Sequence, residues 1–173
     1  MIYFVRHAES EANRARIYAG STIDSHLTGS GAANFRKFSR NNTLIFDKIF
    51  VSTLRRSADS GKIFQEEQTY PLTLVKDERL NELDFGRLAG KTYRHFDSPE
   101  QYQEFDIEQK HIFYERIKSF YEGIKDKAHS DNIVIVAHAG VGKMLYAIAH
   151  QLPYERYNEV PDFNSYELYS LSA

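Results

Sequence analysis

Two short apolar runs dominate the hydrophobic pattern of this chain, Ile2-Tyr3-Phe4-Val5 and Ile133-Val134-Ile135-Val136-Ala137. Both consist mostly of β-branched and aromatic residues without strict apolar–polar alternation, which predicts central strands covered on both faces. Weaker strands are predicted at Lys48-Ile49-Phe50-Val51, Leu72-Thr73-Leu74-Val75 and Tyr166-Glu167-Leu168-Tyr169-Ser170-Leu171. Between them the apolar spacing becomes helical. Phe113, Ile117, Phe120, Tyr121 and Ile124 share one helical face, as do Val141, Met144, Leu145, Ile148 and Leu152. The Gly-, Ser-, Thr- and Asp-rich stretch from Gly20 to Gly31 predicts a loop entering a short helix near Gly31. Strands alternating with helices predict a layered α/β fold with a mostly parallel sheet.

Composition narrows this picture. A chain of 173 residues predicts one domain, 1–173, and is long enough to bury a core without covalent staples. No linker, repeat or low-complexity tract divides it. Residues 93–112, rich in aromatic and acidic side chains with poor periodicity, are expected to form a covering segment. The 22 basic and 24 acidic side chains leave a formal charge of -2, which argues against nucleic acid or anionic membrane as partner. There is no cysteine, so disulfides, thiolate metal sites and a cysteine nucleophile are excluded. The N-terminus opens directly on a strand pattern, and no run approaches the ~18 apolar residues of a membrane helix. A cytoplasmic protein is expected.

The chemistry gathers at strand ends. The first strand runs into Arg6-His7, the run from Ile133 into His138-Ala139-Gly140, and the run from Lys48 into Ser52-Thr53-Leu54-Arg55-Arg56. In open α/β sheets the carboxyl ends of the strands form the binding crevice, so these residues are expected to meet there. Two histidines with two arginines describe an anion site, most naturally for phosphate, because guanidinium donates paired hydrogen bonds and stays charged.

Arg6-His7-Ala8-Glu9-Ser10, followed by Asn13 and Arg16, resembles the opening motif of the histidine phosphatase superfamily, the phosphoglycerate-mutase-like fold. Ser52 to Ser57 resembles its second motif, in a register that selects Arg56 over Arg55. Leu80-Asn81-Glu82-Leu83-Asp84-Phe85-Gly86 resembles the third, and Val136 to Val141 the fourth. Two departures stand out: Ala8 where glycine is common, and no Gly-Gly-Glu-Ser-like segment before the long helix.

The resemblance implies a three-layer α/β/α sandwich and a phosphatase of the branch that includes α-ribazole phosphatases. It implies His7 as nucleophile, Glu82 as general acid and base, and His138, Arg6, Arg56 and Asn13 around the phosphoryl oxygens. No metal and no cofactor are implied. The substrate would be a small phosphorylated metabolite. Asp84 is the rival acid, Arg16 a candidate for substrate contact, and Tyr93 and Phe96 candidates for the leaving-group wall. Alternatives are phosphoglycerate mutase-type transfer, a metallohydrolase, and a non-catalytic phospho-ligand binding module.

Overall fold

The computed structural model describes residues 1–93 and 103–171. Its centre is a five-stranded sheet in the order β3-β2-β4-β1-β5. The strands are β1 (Ile2–Arg6), β2 (Lys48–Val51), β3 (Thr73–Lys76), β4 (Ile133–Ala137) and β5 (Tyr169–Ser170). β1 to β4 run parallel to one another, and β5 closes one edge antiparallel to β1. The β4 run has all five residues buried, as expected for a strand with both faces covered.

Strand alternation sorts these residues to two faces. Ile133, Ile135 and Ala137 pack with Phe4 and with the helices α4 (Lys110–Ile124) and α5 (Ala139–Ala149). Val134 and Val136 pack with Val5 and Ile49 against α2 (Gly29–Arg40) and α3 (Arg55–Glu66). The result is the three-layer α/β/α sandwich. Each of the buried valine, isoleucine and phenylalanine side chains contributes about 1.5–3 kcal/mol, so the central strands anchor whatever their ends carry. Among the described residues no helix is long and apolar enough to cross a membrane.

Local details differ from the sequence expectations for identifiable reasons. The helix near Gly31 is not short: it runs for 12 residues from Gly29, capped by Thr28, whose Oγ1 accepts from the Gly31 N–H at 2.8 Å. The strand foreseen over residues 166–171 shrinks to Tyr169–Ser170, because Tyr166 takes a left-handed conformation (φ 67°) that interrupts extension. The third strand begins at Thr73 rather than Leu72. Leu152 lies past the end of α5, where Gln151 (φ 54°) turns the chain and the Leu152 N–H returns to the Ala147 carbonyl at 2.8 Å. Of the covering segment, residues 94–102, with Phe96, lie outside the described residues. In its described part, Ile107 is buried in the core.

Candidate active site

Strand register brings the two histidines together. Arg6 pairs with Ala137 across β1 and β4, and the His7 N–H extends the ladder to the Ala137 carbonyl at 2.8 Å. His7 and His138 therefore leave adjacent parallel strands at one level, with ring centroids 5.1 Å apart. Val51 on β2 pairs with Val136 on β4, which delivers Ser52 to the same level. The site is a direct consequence of parallel pairing.

His7 is 3% exposed and His138 1%. Burial is the largest influence holding the His7 imidazole well below the ordinary histidine pKa, and the Arg56 and Arg6 guanidinium groups act in the same direction. Burial, then Arg56, hold His138 down in the same way. Both rings are neutral at neutral pH. A neutral ring has one donor and one acceptor nitrogen. His7 Nδ1 lies 2.6 Å from the Ala8 carbonyl oxygen, which can only accept, so Nδ1 carries the proton and Nε2 keeps its lone pair. The backbone of the motif thus selects the nucleophilic tautomer.

His138 is fixed by Ser52, a residue to which sequence reading gave no role. Ser52 Oγ lies 2.8 Å from His138 Nε2 and accepts from the Leu54 N–H at 3.3 Å. If the hydroxyl proton points to Nε2, both groups are satisfied and His138 Nδ1 carries its own proton. That Nδ1 is buried without a partner among the described residues, as is Arg6 Nε. Buried donors left unpaired by the protein are what a bound oxyanion would satisfy.

Arg56 lies in the first turn of α3 and is 2% exposed. Its Nη1 donates to the Ile23 carbonyl at 3.0 Å and its Nη2 to the Gly20 carbonyl at 2.7 Å, so loop 20–23 holds the guanidinium in place. Gly20 adopts φ +54°, which turns the loop beside Leu83 and Phe85. Asn13 belongs to a single helical turn, α1 (Glu11–Arg14), with a capping box to Ser10. Its Oδ1 accepts from Ser10 N at 3.1 Å and Ser10 Oγ at 3.0 Å, which turns the amide NH2 outward as the donor end.

Glu82 lies opposite, on irregular backbone between two 3-10 turns. Its Oε2 accepts from the Gly140 N–H at the start of α5 at 3.1 Å, and its Oε1 from the Leu83 N–H at 2.9 Å. The nearby arginines do not divert it: Arg79 pairs with Asp77 and Arg87 with Asp106. Arg6, His7, Asn13, Arg56 and Glu82 all line one cavity of ≈ 270 Å³. His138 does not itself line this cavity, although its chain neighbours Ala139 and Gly140 do and its ring lies 5.1 Å from that of His7.

Other candidates are placed elsewhere. Asp84 Oδ1 accepts from the Gly86 N–H at 2.8 Å and lines a different depression, with Arg79 and Arg116. Arg16 is exposed and off the cavity wall, and Arg55 reaches His26 on the surface. Glu9 accepts from Thr28 Oγ1 at 2.7 Å, a structural bond. Tyr93 does line the cavity, together with Tyr18, Phe85 and Tyr157. Tyr157 lies on a short 3-10 turn with no periodic signal, and Tyr18 in a loop, so pattern reading had nothing to find them by.

A buried neutral imidazole with its Nε2 lone pair free, two guanidinium groups and a carboxylate gather at the carboxyl edge of a mostly parallel sheet, an arrangement suited to phosphoryl transfer. Residues 2–171 match the model of the histidine phosphatase superfamily (branch 1), and the chain belongs to that family. Among its relatives, a Hydrogenobacter thermophilus protein provisionally named phosphoserine phosphatase 2 is 33% identical over 80% of this chain and 73% of its own. The adenosylcobalamin/alpha-ribazole phosphatase of Escherichia coli is 24% identical over 89% of this chain and 81% of its own. The 2,3-bisphosphoglycerate-dependent phosphoglycerate mutase of Nocardia farcinica is 31% identical, but over only 52% of this chain and 38% of its own. A solved alpha-ribazole phosphatase from Shigella flexneri superposes with a TM-score of 0.78 at 22% identity, covering 96% of this chain and 87% of that one.

Proposed function

We propose that this chain hydrolyses small phosphomonoesters in two steps through a phosphohistidine on His7. In the first, His7 Nε2 attacks phosphorus in line, the ester P–O bond breaks, and Glu82 as the acid gives its proton to the leaving alkoxide. In the second, the Glu82 carboxylate takes a proton from water, the oxygen attacks phosphorus, and the N–P bond breaks. Inorganic phosphate leaves and the Nε2 lone pair is restored. Arg6, Arg56, Asn13 and His138 Nδ1 supply donors to the equatorial oxygens, whose charge is what the site stabilises.

One observation carries this reading: His7 Nε2, its lone pair freed by the Nδ1 contact to Ala8, shares a cavity with Glu82 and two arginines. The cavity is small against the 300–1,000 Å³ common for ligand pockets, which suits a metabolite. Away from the arginines the described wall is aromatic, from Tyr18, Phe85, Tyr93 and Tyr157. The two relatives matched over most of their length also carry phosphatase names. A cytoplasmic setting, where phosphorylated metabolites are held, belongs to the same reading.

The test is phosphate release from a panel of phosphomonoesters, with acid-labile phosphohistidine trapped on the enzyme. Release that disappears in His7→Ala is expected. Conversion of 3-phosphoglycerate to 2-phosphoglycerate outrunning release would overturn the reading.

A further inference from the structure

The segment that carries Glu82 has no ladder of its own. Its backbone from Asn81 to Phe85 lies outside helix and strand, yet the proton donor must be held to a fraction of an ångström. Carbonyls in such a segment need partners from elsewhere. The carbonyls of Asn81 and Glu82 find theirs in one side chain. Arg116, on α4, directs Nη1 to the carbonyls of Arg79 and Asn81, both at 2.7 Å, and Nη2 to the carbonyl of Glu82 itself at 3.1 Å. The remaining N–H groups grip Glu108, Nε to Oε1 at 2.8 Å and Nη2 to Oε2 at 2.9 Å. Every N–H of the guanidinium is therefore used.

Glu108 closes the arrangement from the other side. Its Oε2 accepts from the Asp84 N–H at 3.2 Å, and its own N–H donates to the Asp84 carbonyl at 2.9 Å. The pair is partly buried, with side chains 22% and 13% exposed, and Arg116 lies over the Phe113 ring at 4.6 Å. Neither residue lines the catalytic cavity.

From this geometry we infer that Arg116 and Glu108 are positioning residues of the reaction, a clamp that fixes the backbone on either side of Glu82 so that its carboxylate meets the leaving-group oxygen. The inference rests on Glu82 being the proton donor. The fork makes the position specific: a lysine at 116 keeps the charge but cannot reach three carbonyls and a carboxylate at once.

The leaving group provides the test. p-Nitrophenyl phosphate departs as a stable phenolate and needs no proton in the first step, whereas an alkyl phosphomonoester does. Pre-steady-state phosphoenzyme formation is measured on both substrates for Glu82→Gln, Arg116→Gln, Arg116→Lys and the Glu82→Gln/Arg116→Gln double variant. Glu82→Gln is expected to slow the alkyl reaction by roughly 10²-fold or more while the p-nitrophenolate burst stays within about threefold. Both Arg116 variants are expected to show the same selectivity, on the order of 10²-fold. The double variant is expected to be no slower than Glu82→Gln alone.

Equal slowing on both substrates by Arg116→Gln, or losses that multiply in the double variant, would overturn the clamp while leaving Glu82 in its role. No selectivity in Glu82→Gln would overturn the proton donor and the clamp together. Should Arg116→Gln fail to fold, the isosteric Glu108→Gln carries the test, with the same selectivity expected at about tenfold and its absence counting against the clamp.

Discussion

Replacing Gly140 with alanine should separate activity from stability in this molecule. Gly140 sits in the first turn of α5, and a Cβ there would press on Glu82 Oε1, 3.2 Å from its Cδ and 3.0 Å from Tyr157 Oη. The Glu82 carboxylate is the end of a flexible, half-buried side chain, so it swings away rather than forcing the backbone apart. That retreat of about 1 Å also breaks its 3.1 Å bond from the Gly140 N–H. Alanine for glycine within a helix favours folding by up to about 1 kcal/mol, which offsets the lost contact and leaves the melting temperature near its parent value. The displaced donor has no such compensation. A misplacement of this size costs roughly 10²-fold, or about 2.7 kcal/mol of transition-state stabilisation. Single-turnover rates on an alkyl phosphomonoester, paired with a thermal melt, measure both quantities on one sample. KM should move little, because Arg6 and Arg56 are untouched. An alkyl rate within about threefold of the parent would refute the placement of Glu82 as donor at this position.

Four further outcomes follow from the same geometry. Because burial and the arginines hold His7 and His138 below the ordinary value of 6.5, the folded protein keeps them neutral where the unfolded chain takes up protons. Stability should accordingly be full above pH 6.5 and fall as pH drops below it, a slope that denaturant titration across pH would measure and that His138→Gln should flatten. The acid limb of kcat/KM should lie below pH 6.5, and a limb above it would contradict a neutral resting nucleophile. Arg56→Lys should lower kcat/KM by about 10²–10³, since lysine cannot hold the Gly20 and Ile23 carbonyls and a phosphoryl oxygen together. Gly142→Ala, two residues beyond Gly140, would set a Cβ 2.6 Å from the Phe4 ring and should destabilise by about 1–3 kcal/mol in a denaturant melt.

The central strands were legible because runs such as Ile133 to Ala137 can be buried only one way, and the motifs at their ends follow from the topology. His7, Arg56, Glu82 and Asn13 were reached through those motifs, and the structure brings all of them to one cavity. What sequence withheld is of two kinds. Ser52 and Arg116 act through bonds to residues far along the chain, and a serine or arginine carries no mark of its partner. The short last strand and the turn at Gln151 depend on left-handed residues that are not glycine, where local propensity points to continued extension or helix. Glu108 lay within an acidic stretch read only as cover, and its carboxylate gives no pattern until α4 is in place.

The pairing of β1 with β4 has a consequence for how the molecule comes to exist. β1 leaves the ribosome before the other four strands, but its hydrogen-bonded neighbours, β4 and β5, are the last two of the five to be made. Until Ile133 to Ala137 emerges, the strand that ends on His7 lacks both of its partners, and no nascent fragment ending before it contains His138. Contacts this distant in sequence slow folding, because the intervening loop must close before they reward it. Recovery of phosphate release on refolding should therefore report on the joining of β1 to β4 rather than on collapse or helix formation, and appear only when that pairing is complete.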